Sequence, residues 1–267
     1  MEFLRPDAFF DLTSFEHREI FAGCEYAWDA LSRISGYLEH RLEPNVPGIK
    51  CFRRPLPKTA VIWEGKILEE GFEIIGGDVT KGKFRVSIGG EDTNEASVLY
   101  EGSVLWDETV FIGPGAVIEP GALVKGPSII GAHTEVRQGA YMRGKCIIGA
   151  RCVVGHTTEI KTSIMMDGAK AGHFAYIGDS ILGRQSNLGA GTKLANLKIR
   201  EQVIHIMAQD TRIETNLRKF GAIIGDHVET GCNSVTNPGT VLGKNCMVLP
   251  LTSVRAGYYE PNSIIRG

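Results

Sequence analysis

The sequence predicts an all-β chain, a parallel β-helix of hexapeptide repeats preceded by an α-helix and a cap region of short strands. A period decides it. Apolar residues recur at Tyr100, Trp106, Ile112, Ile118, Val124, Ile130, Val136, Met142, Ile148, Val154 and Ile160 in steps of six. A small residue follows most of them four places on: Ala116, Ala122, Ser128, Thr134, Ala140, Cys146, Cys152 and Thr158. A period of six matches neither the 3.6 repeat of a helix nor the alternation of a plain strand, so each hexapeptide is one short side of a solenoid coil. Three sides close a triangular coil, and successive coils pair as parallel strands about 4.8 Å apart. The apolar position fills the prism and the small one also points inward, near a corner. Glycine and polar residues serve the corners, where the backbone must bend.

Residues 1–47 precede this ladder. Thr13-Ser-Phe-Glu16 has the form of a capping box, and Phe21, Cys24, Trp28, Leu31, Ile34 and Leu38 follow at helical spacing. One amphipathic helix is expected, stopped by Pro44 and Pro47, with its stripe packed on its own domain. Residues 48–97 alternate apolar and polar groups between glycines, as in Thr59-Ala-Val-Ile-Trp63, Gly71-Phe-Glu-Ile-Ile75 and Lys83-Phe-Arg-Val-Ser-Ile88. They read as short strands and hairpins that close the first coil and protect its end. The expected domains are therefore 1–97 and 98–267.

Beyond Ile160 the core series continues as Met165, Ala171, Ile177, Leu182, Leu188 and Leu194. Two of these steps are five, read as one-residue deletions at corners. The ladder breaks over an excursion at 197–222 and restarts at Ile224, Thr230, Thr236, Leu242, Val248 and Val254. An excursion of that length is usually a functional loop or an extra interface element. It carries Lys198, Arg200, Arg212, Arg218 and Lys219 against Glu201, Asp210 and Glu214. Arg218 or Lys219 is a candidate for a phosphate, with solvated loop charge as the alternative.

The net charge of −2 gives no bulk attraction to nucleic acid or to an anionic membrane. No apolar run is long enough to span a bilayer, and the N-terminal Met-Glu-Phe-Leu-Arg-Pro is not a signal peptide, so a cytoplasmic protein is expected. The six cysteines show no zinc-site or redox spacing; Cys146 and Cys152 occupy the small inward position and are expected to be buried thiols.

A filled solenoid leaves only outward side chains for chemistry. Arg137, Arg143, Lys161, His173, Tyr176, Asn187 and Asn196 all fall outside the inward positions. Counting sides in threes puts Arg137 and His173 on one side, Arg143, Lys161 and Asn196 on the next, and Asn187 at the corner ending the third. Groups spread round a convex prism cannot converge within one chain, so a shared site would need a neighbouring copy, and a closed trimer is the economical arrangement.

Val136-Arg-Gln-Gly139, Thr158-Glu-Ile-Lys161, Lys170-Ala-Gly-His-Phe-Ala-Tyr176, Ile177-Gly-Asp179, Ser186-Asn187 and Leu188-Gly-Ala-Gly-Thr192 together carry a resemblance over about residues 98 to 250. They resemble the acetyltransferase half of the bifunctional N-acetylglucosamine-1-phosphate uridyltransferase/glucosamine-1-phosphate acetyltransferase family. The archaeal sugar-1-phosphate nucleotidyltransferase/acetyltransferases are more similar still, with a comparable insertion before Gly221-Ala-Ile-Ile-Gly225. The resemblance implies a left-handed β-helix, a homotrimer, and transfer of an acetyl group from acetyl-CoA to the amine of an aminosugar 1-phosphate. Position by position it implies His173 as the base, and Arg137 and Lys161 as contacts to the sugar phosphate. Arg143 competes with Arg137, since it lies one coil before Lys161 on the same side. Tyr176 and Asn187 match further sugar contacts, and Ala190 and Asn196 match positions that touch acetyl-CoA, with Cys232 and Lys219 as further coenzyme candidates. The residue types suit the chemistry. A protonated amine cannot attack a thioester until a base removes a proton, and histidine is the side chain that titrates near neutrality. Two cations suit a phosphate dianion.

The chain departs from the family at Leu197, where bacterial members have a tyrosine, and at Cys232, where they have a serine. Residues 1–97 also lack the Gly-rich uridine-nucleotide motif, so nucleotidyl transfer is not expected and a separate nucleotidyltransferase is a candidate partner. Two other functions compete. One is a non-catalytic sugar-phosphate or nucleotide-sugar binding or scaffold protein. The other is a carbonic anhydrase of the γ type, disfavoured because its two histidines five apart are lacking; no metal is expected.

Overall fold

The computed structural model describes residues 1–200 and 202–266, so Glu201 of the excursion lies outside the described residues. Three sheets of short parallel strands form the sides of a prism of about nine coils, a parallel β-helix as expected. The inward series from Ile112 to Val254 is buried, and so are the small residues four places on. The shortened steps leave the ladder intact: Ile148 registers with Met165 and Met165 with Leu182. Thr162 and Asp179 sit at those shortened corners with φ of 45° each.

The start of the ladder differs from the expected register. Leu105 is 0% exposed whereas Trp106 is 38% exposed, and Leu99 rather than Tyr100 points into the prism. The step from Leu105 to Ile112 is seven, so Tyr100 and Trp106 are not core positions. A close-packed triangular interior accepts a leucine more readily than an indole or phenol. Trp106 instead lies outside, with the Lys125 ammonium 4.5 Å from its ring centroid.

The capping box does not form. The Thr13 backbone N–H and hydroxyl both donate to the Asp11 carboxylate, at 3.1 and 2.6 Å, and Arg18–Phe21 is only a 3-10 turn ending near Gly23, whose φ is +68°. The helix runs instead over Asp29–Arg41, where the Asp29 carboxylate accepts the Tyr26 and Glu25 N–H groups at 2.9 and 3.1 Å. It stops ahead of Pro44, as expected.

Its stripe packs both on the residues that precede it, among them Leu4, Phe10, Ile20 and Phe21, and on the solenoid. The outward column Ile129, Ile147, Ile164, Ile181, Ile223 and Val241 is in register down one side of the prism. It is buried beneath Trp28, Leu31, Ile34 and Leu38. The excursion joins the same core: His205–Ala208 and Thr211–Glu214 pair as an antiparallel hairpin, and Ile204, Ile206, Ile213 and Phe220 are buried there. The Trp28 and Phe220 ring centroids are 6.0 Å apart. One side of the prism is thus covered by two separate parts of the sequence, the N-terminal helix and the excursion, which makes the excursion a packing element.

Residues 48–97 do close the first coil. Ala60–Trp63 pairs antiparallel with Ser97–Leu99, and Val46, Ile49, Cys51 and Leu56 enter the end of the prism core. The rest of this region forms a small antiparallel sheet of Phe72–Gly76, Arg85–Ile88 and Glu91–Thr93. Val79, Phe84 and Val86 pack there on Val98 and Val117, outside the prism. That docking sets the turn at 77–81 against the flank of the solenoid. All six cysteines are free, and burial pushes the Cys146 and Cys152 thiols up to about 12.

Candidate active site

One sheet side builds the site. Glu135–Val136, Val153–His156, Lys170–His173, Asn187–Leu188 and Glu229–Thr230 lie side by side, with Val136, Val154, Ala171, Leu188 and Thr230 in register facing inward. The preceding column faces outward as Glu135, Val153, Lys170, Asn187 and Glu229. Asn187 therefore stands on the His173 side and not at the corner ending the third, because each of these strands begins at the residue before its inward one.

The column after the inward one begins with Arg137 and continues through Gly155, Gly172 and Gly189. A side chain at Gly155 would meet the Gly172 carbonyl oxygen at 1.9 Å, and one at Gly189 would meet the Thr230 carbonyl at 2.4 Å. A side chain at Gly172 would meet nothing within 4 Å. Three successive glycines leave a trough beyond Arg137, open at its centre.

The turn at 77–81 makes the trough a cavity of about 790 Å³, lined by Arg137, Lys170, His173, Asn187, Ala190 and Cys232 among others. Five of the ten site residues expected from the sequence share this cavity. Arg137 is held by Glu135, Nη2 to Oε2 at 2.8 Å. Asn187 donates to Glu229 at 2.9 Å. His173 is exposed, registers with His156 one coil away, and has Phe174 beside it at 6.3 Å between ring centroids. Among the described residues its imidazole makes no hydrogen bond, whereas His156 Nδ1 is engaged by the Gln138 carbonyl at 2.9 Å.

Four of the remaining expected residues lie across a prism edge. Lys161 and Asn196 both donate to Asp179 Oδ2, and the Tyr176 hydroxyl donates to Asn196 Oδ1 at 3.2 Å. Burial, then the Glu159 and Asp179 charges, raises the Tyr176 phenol, which keeps it a donor. Arg143 bonds Glu159 at 2.7 Å, a contact that raises its pKa further. Lys219 is exposed on the excursion, outside the cavity. No cluster of His, Cys, Asp and Glu able to hold a metal occurs among the described residues, and no described helix is long and apolar enough to cross a membrane.

The cavity also takes in Lys170, Asp78, Thr80 and Lys81, which the sixfold period does not single out. Nothing periodic marks the turn. Its place depends on how the small sheet docks, and the one local sign is Gly77, where a side chain would meet the Lys83 carbonyl at 2.2 Å.

The family model described as the GMPPB C-terminal domain matches residues 124–264, just over half of the chain. The chain belongs to that family. The GMPPB C-terminal match covers every cavity residue named above except those of the 77–81 turn. The bifunctional sugar-1-phosphate nucleotidylyltransferase/acetyltransferase of Sulfurisphaera tokodaii is 38% identical over 109 residues, 40% of this chain and 27% of that protein. The bifunctional protein GlmU of Methanococcus vannielii is 40% identical over 101 residues, 36% of this chain and 24% of the relative. That of Methanocaldococcus jannaschii is 39% identical over 95 residues, 36% of this chain and 23% of the relative. The matched stretch thus spans about a quarter of the length of these curated relatives.

Proposed function

We propose that this chain transfers an acetyl group from acetyl-CoA to the amine of an aminosugar 1-phosphate, with His173 as general base. The observation that carries the reading is the His173 imidazole, exposed and without a hydrogen bond, in a cavity that also holds Arg137 and Lys170. A free ring nitrogen takes the ammonium proton, the amine attacks the thioester carbonyl, and the coenzyme leaves as its thiol. The glycine trough fits a narrow ligand arm beside Ala190 and Cys232, since a side chain at Gly172 would project into its open centre. The Sulfurisphaera tokodaii relative supports the class, because it is a bifunctional protein by name and acetyl transfer is one of its two activities.

In this reading Arg137 and Asn187 contact the acceptor in one copy, and the Arg143, Lys161, Tyr176 and Asn196 group comes to the same crevice from a neighbouring copy in a homotrimer. The protein works in the cytoplasm, and a separate nucleotidyltransferase uses the product. Incubating the chain with acetyl-CoA and a panel of aminosugar 1-phosphates, with released thiol as the readout, tests it. Thiol release with one acceptor is the expected result, and none with any acceptor would refute it. Calorimetry with coenzyme A then decides for a non-catalytic sugar-phosphate binder if no heat of binding appears.

A further inference from the structure

A second cavity of about 610 Å³ adjoins the first, and the two share Thr80, Lys81, Lys170 and Asn187. Around this junction the cations are Lys81, Arg137, Arg151 and Lys170, and the carboxylates are Asp78, Glu135 and Glu229. Three of the cations are already engaged. Arg137 is held by Glu135 at 2.8 Å, Arg151 donates to the Thr80 carbonyl at 3.0 Å, and Lys81 pairs with Asp78 at 2.9 Å. The Lys170 ammonium makes no hydrogen bond or ion pair among the described residues.

The turn that brings Lys81 here is built rather than loose. The Asp78 carboxylate accepts the Thr80 hydroxyl at 3.0 Å and the Lys81 N–H at 3.1 Å, while Val79 is buried under the small sheet. Arg151 reaches from the solenoid to its backbone. The Lys81–Asp78 pair itself is exposed, with the side chains 69% and 40% accessible, so it holds Lys81 only weakly. A phosphate dianion offers more charge and more acceptor oxygens than one exposed carboxylate, and displaces it.

We propose that Lys81 and Lys170 form a subsite for a phosphate ester at the junction of the two cavities, its wall supplied by the 77–81 turn, which lies outside the family match. The proposal rests on the reading of the first cavity as the transfer site and names how residues before the solenoid take part in it. The phosphate belongs either to the acceptor sugar or to the coenzyme, and the chemistry at the lysines is the same.

Calorimetry on the full chain with glucosamine 1-phosphate, glucosamine, coenzyme A and pantetheine separates the sources. Lys81→Gln and Lys170→Gln should each weaken one phosphorylated ligand about tenfold or more, and leave its phosphate-free counterpart unchanged. The ligand that weakens identifies the source. Unchanged binding of both phosphorylated ligands in both variants would overturn the subsite, as would equal losses with and without phosphate. If the parent chain binds neither sugar nor coenzyme, the transfer reading fails. Inorganic pyrophosphate then tests the lysines alone: binding lost in Lys170→Gln upholds the subsite, and no binding to the parent overturns it.

Discussion

Lys161 and Asn196 converge on one oxygen of Asp179, which sits one coil above Lys161 at a shortened corner of the prism. The Lys161 and Asp179 side chains are only 16% and 10% exposed, so the pair is largely withdrawn from water. Removing one partner of such a pair costs more than the pair itself contributes, because the other charge is stranded. Lys161→Met should lower stability by about 1–3 kcal/mol. The double variant with Asp179→Asn should recover most of that loss. Urea unfolding midpoints check both, and a neutral single variant would show that the carboxylate is solvated by another route.

His173 stands apart from such networks, which lets chemistry be separated from folding. His173→Ala should cut acetyl-transfer turnover by roughly 10² to 10⁴, the usual range for a lost general base. Its thermal midpoint should stay close to the parent's, since the ring is exposed and makes no hydrogen bond. His156→Ala should lose much less turnover, its Nδ1 being occupied by the Gln138 carbonyl. A full-rate His173→Ala enzyme would remove histidine 173 from the mechanism.

The sequence carried the solenoid because a sixfold ladder constrains every coil alike: even the two five-residue steps end on buried side chains at Met165 and Leu182. It misled only at the start of the ladder, where Leu99 and Leu105 displace Tyr100 and Trp106 from the interior, while Val248 and Val254 at the other end are buried as expected. Outward columns were harder to read. Ile147, Ile164 and Ile181 are adjacent in space but 17 residues apart in sequence, and only the register shows that they form one apolar face. The site divides likewise. Periodicity could place Arg137 and His173 on one side, but Lys81 reaches them through tertiary docking, which leaves no local pattern.

Cys232 lines the cavity and is exposed, while Cys24, Cys51, Cys146, Cys152 and Cys246 are buried. Reactivity follows thiolate access, and burial also raises the thiols of Cys24, Cys146, Cys152 and Cys246. Iodoacetamide should therefore modify the native chain first at Cys232, as read by peptide mass. Coenzyme A should slow the modification if it occupies the trough. Equal labelling of buried cysteines in the folded protein would contradict this packing.

Acid should loosen the lateral cover through His17. Burial, the largest influence, lowers its pKa below the ordinary 6.5, and its Nδ1 lies 3.0 Å from the Tyr37 hydroxyl. The unfolded chain then binds a proton at a higher pH than the folded one. Stability is accordingly present above about 6.5 and falls as pH drops from there toward the folded value, below which the loss is complete. Thermal midpoints measured across this window should decline more steeply for the parent than for His17→Gln. Parallel slopes would assign the decline to other groups.

The lateral cover also decides whether the solenoid can exist alone. Trp28 is 1% exposed and lies between the helix, Phe220 of the excursion and the isoleucine column. Trp28→Ala should cost about 3–5 kcal/mol, the range for emptying a large core site. The consequence should differ from that of an equal loss inside the prism, because the exposed face would be a continuous apolar strip along one side, and such strips drive association. Light scattering on heating should therefore rise earlier in Trp28→Ala than in a prism variant of matched stability such as Ile130→Ala. If both variants scatter alike at the same fraction unfolded, the cover contributes stability only and does not shield the column from self-association.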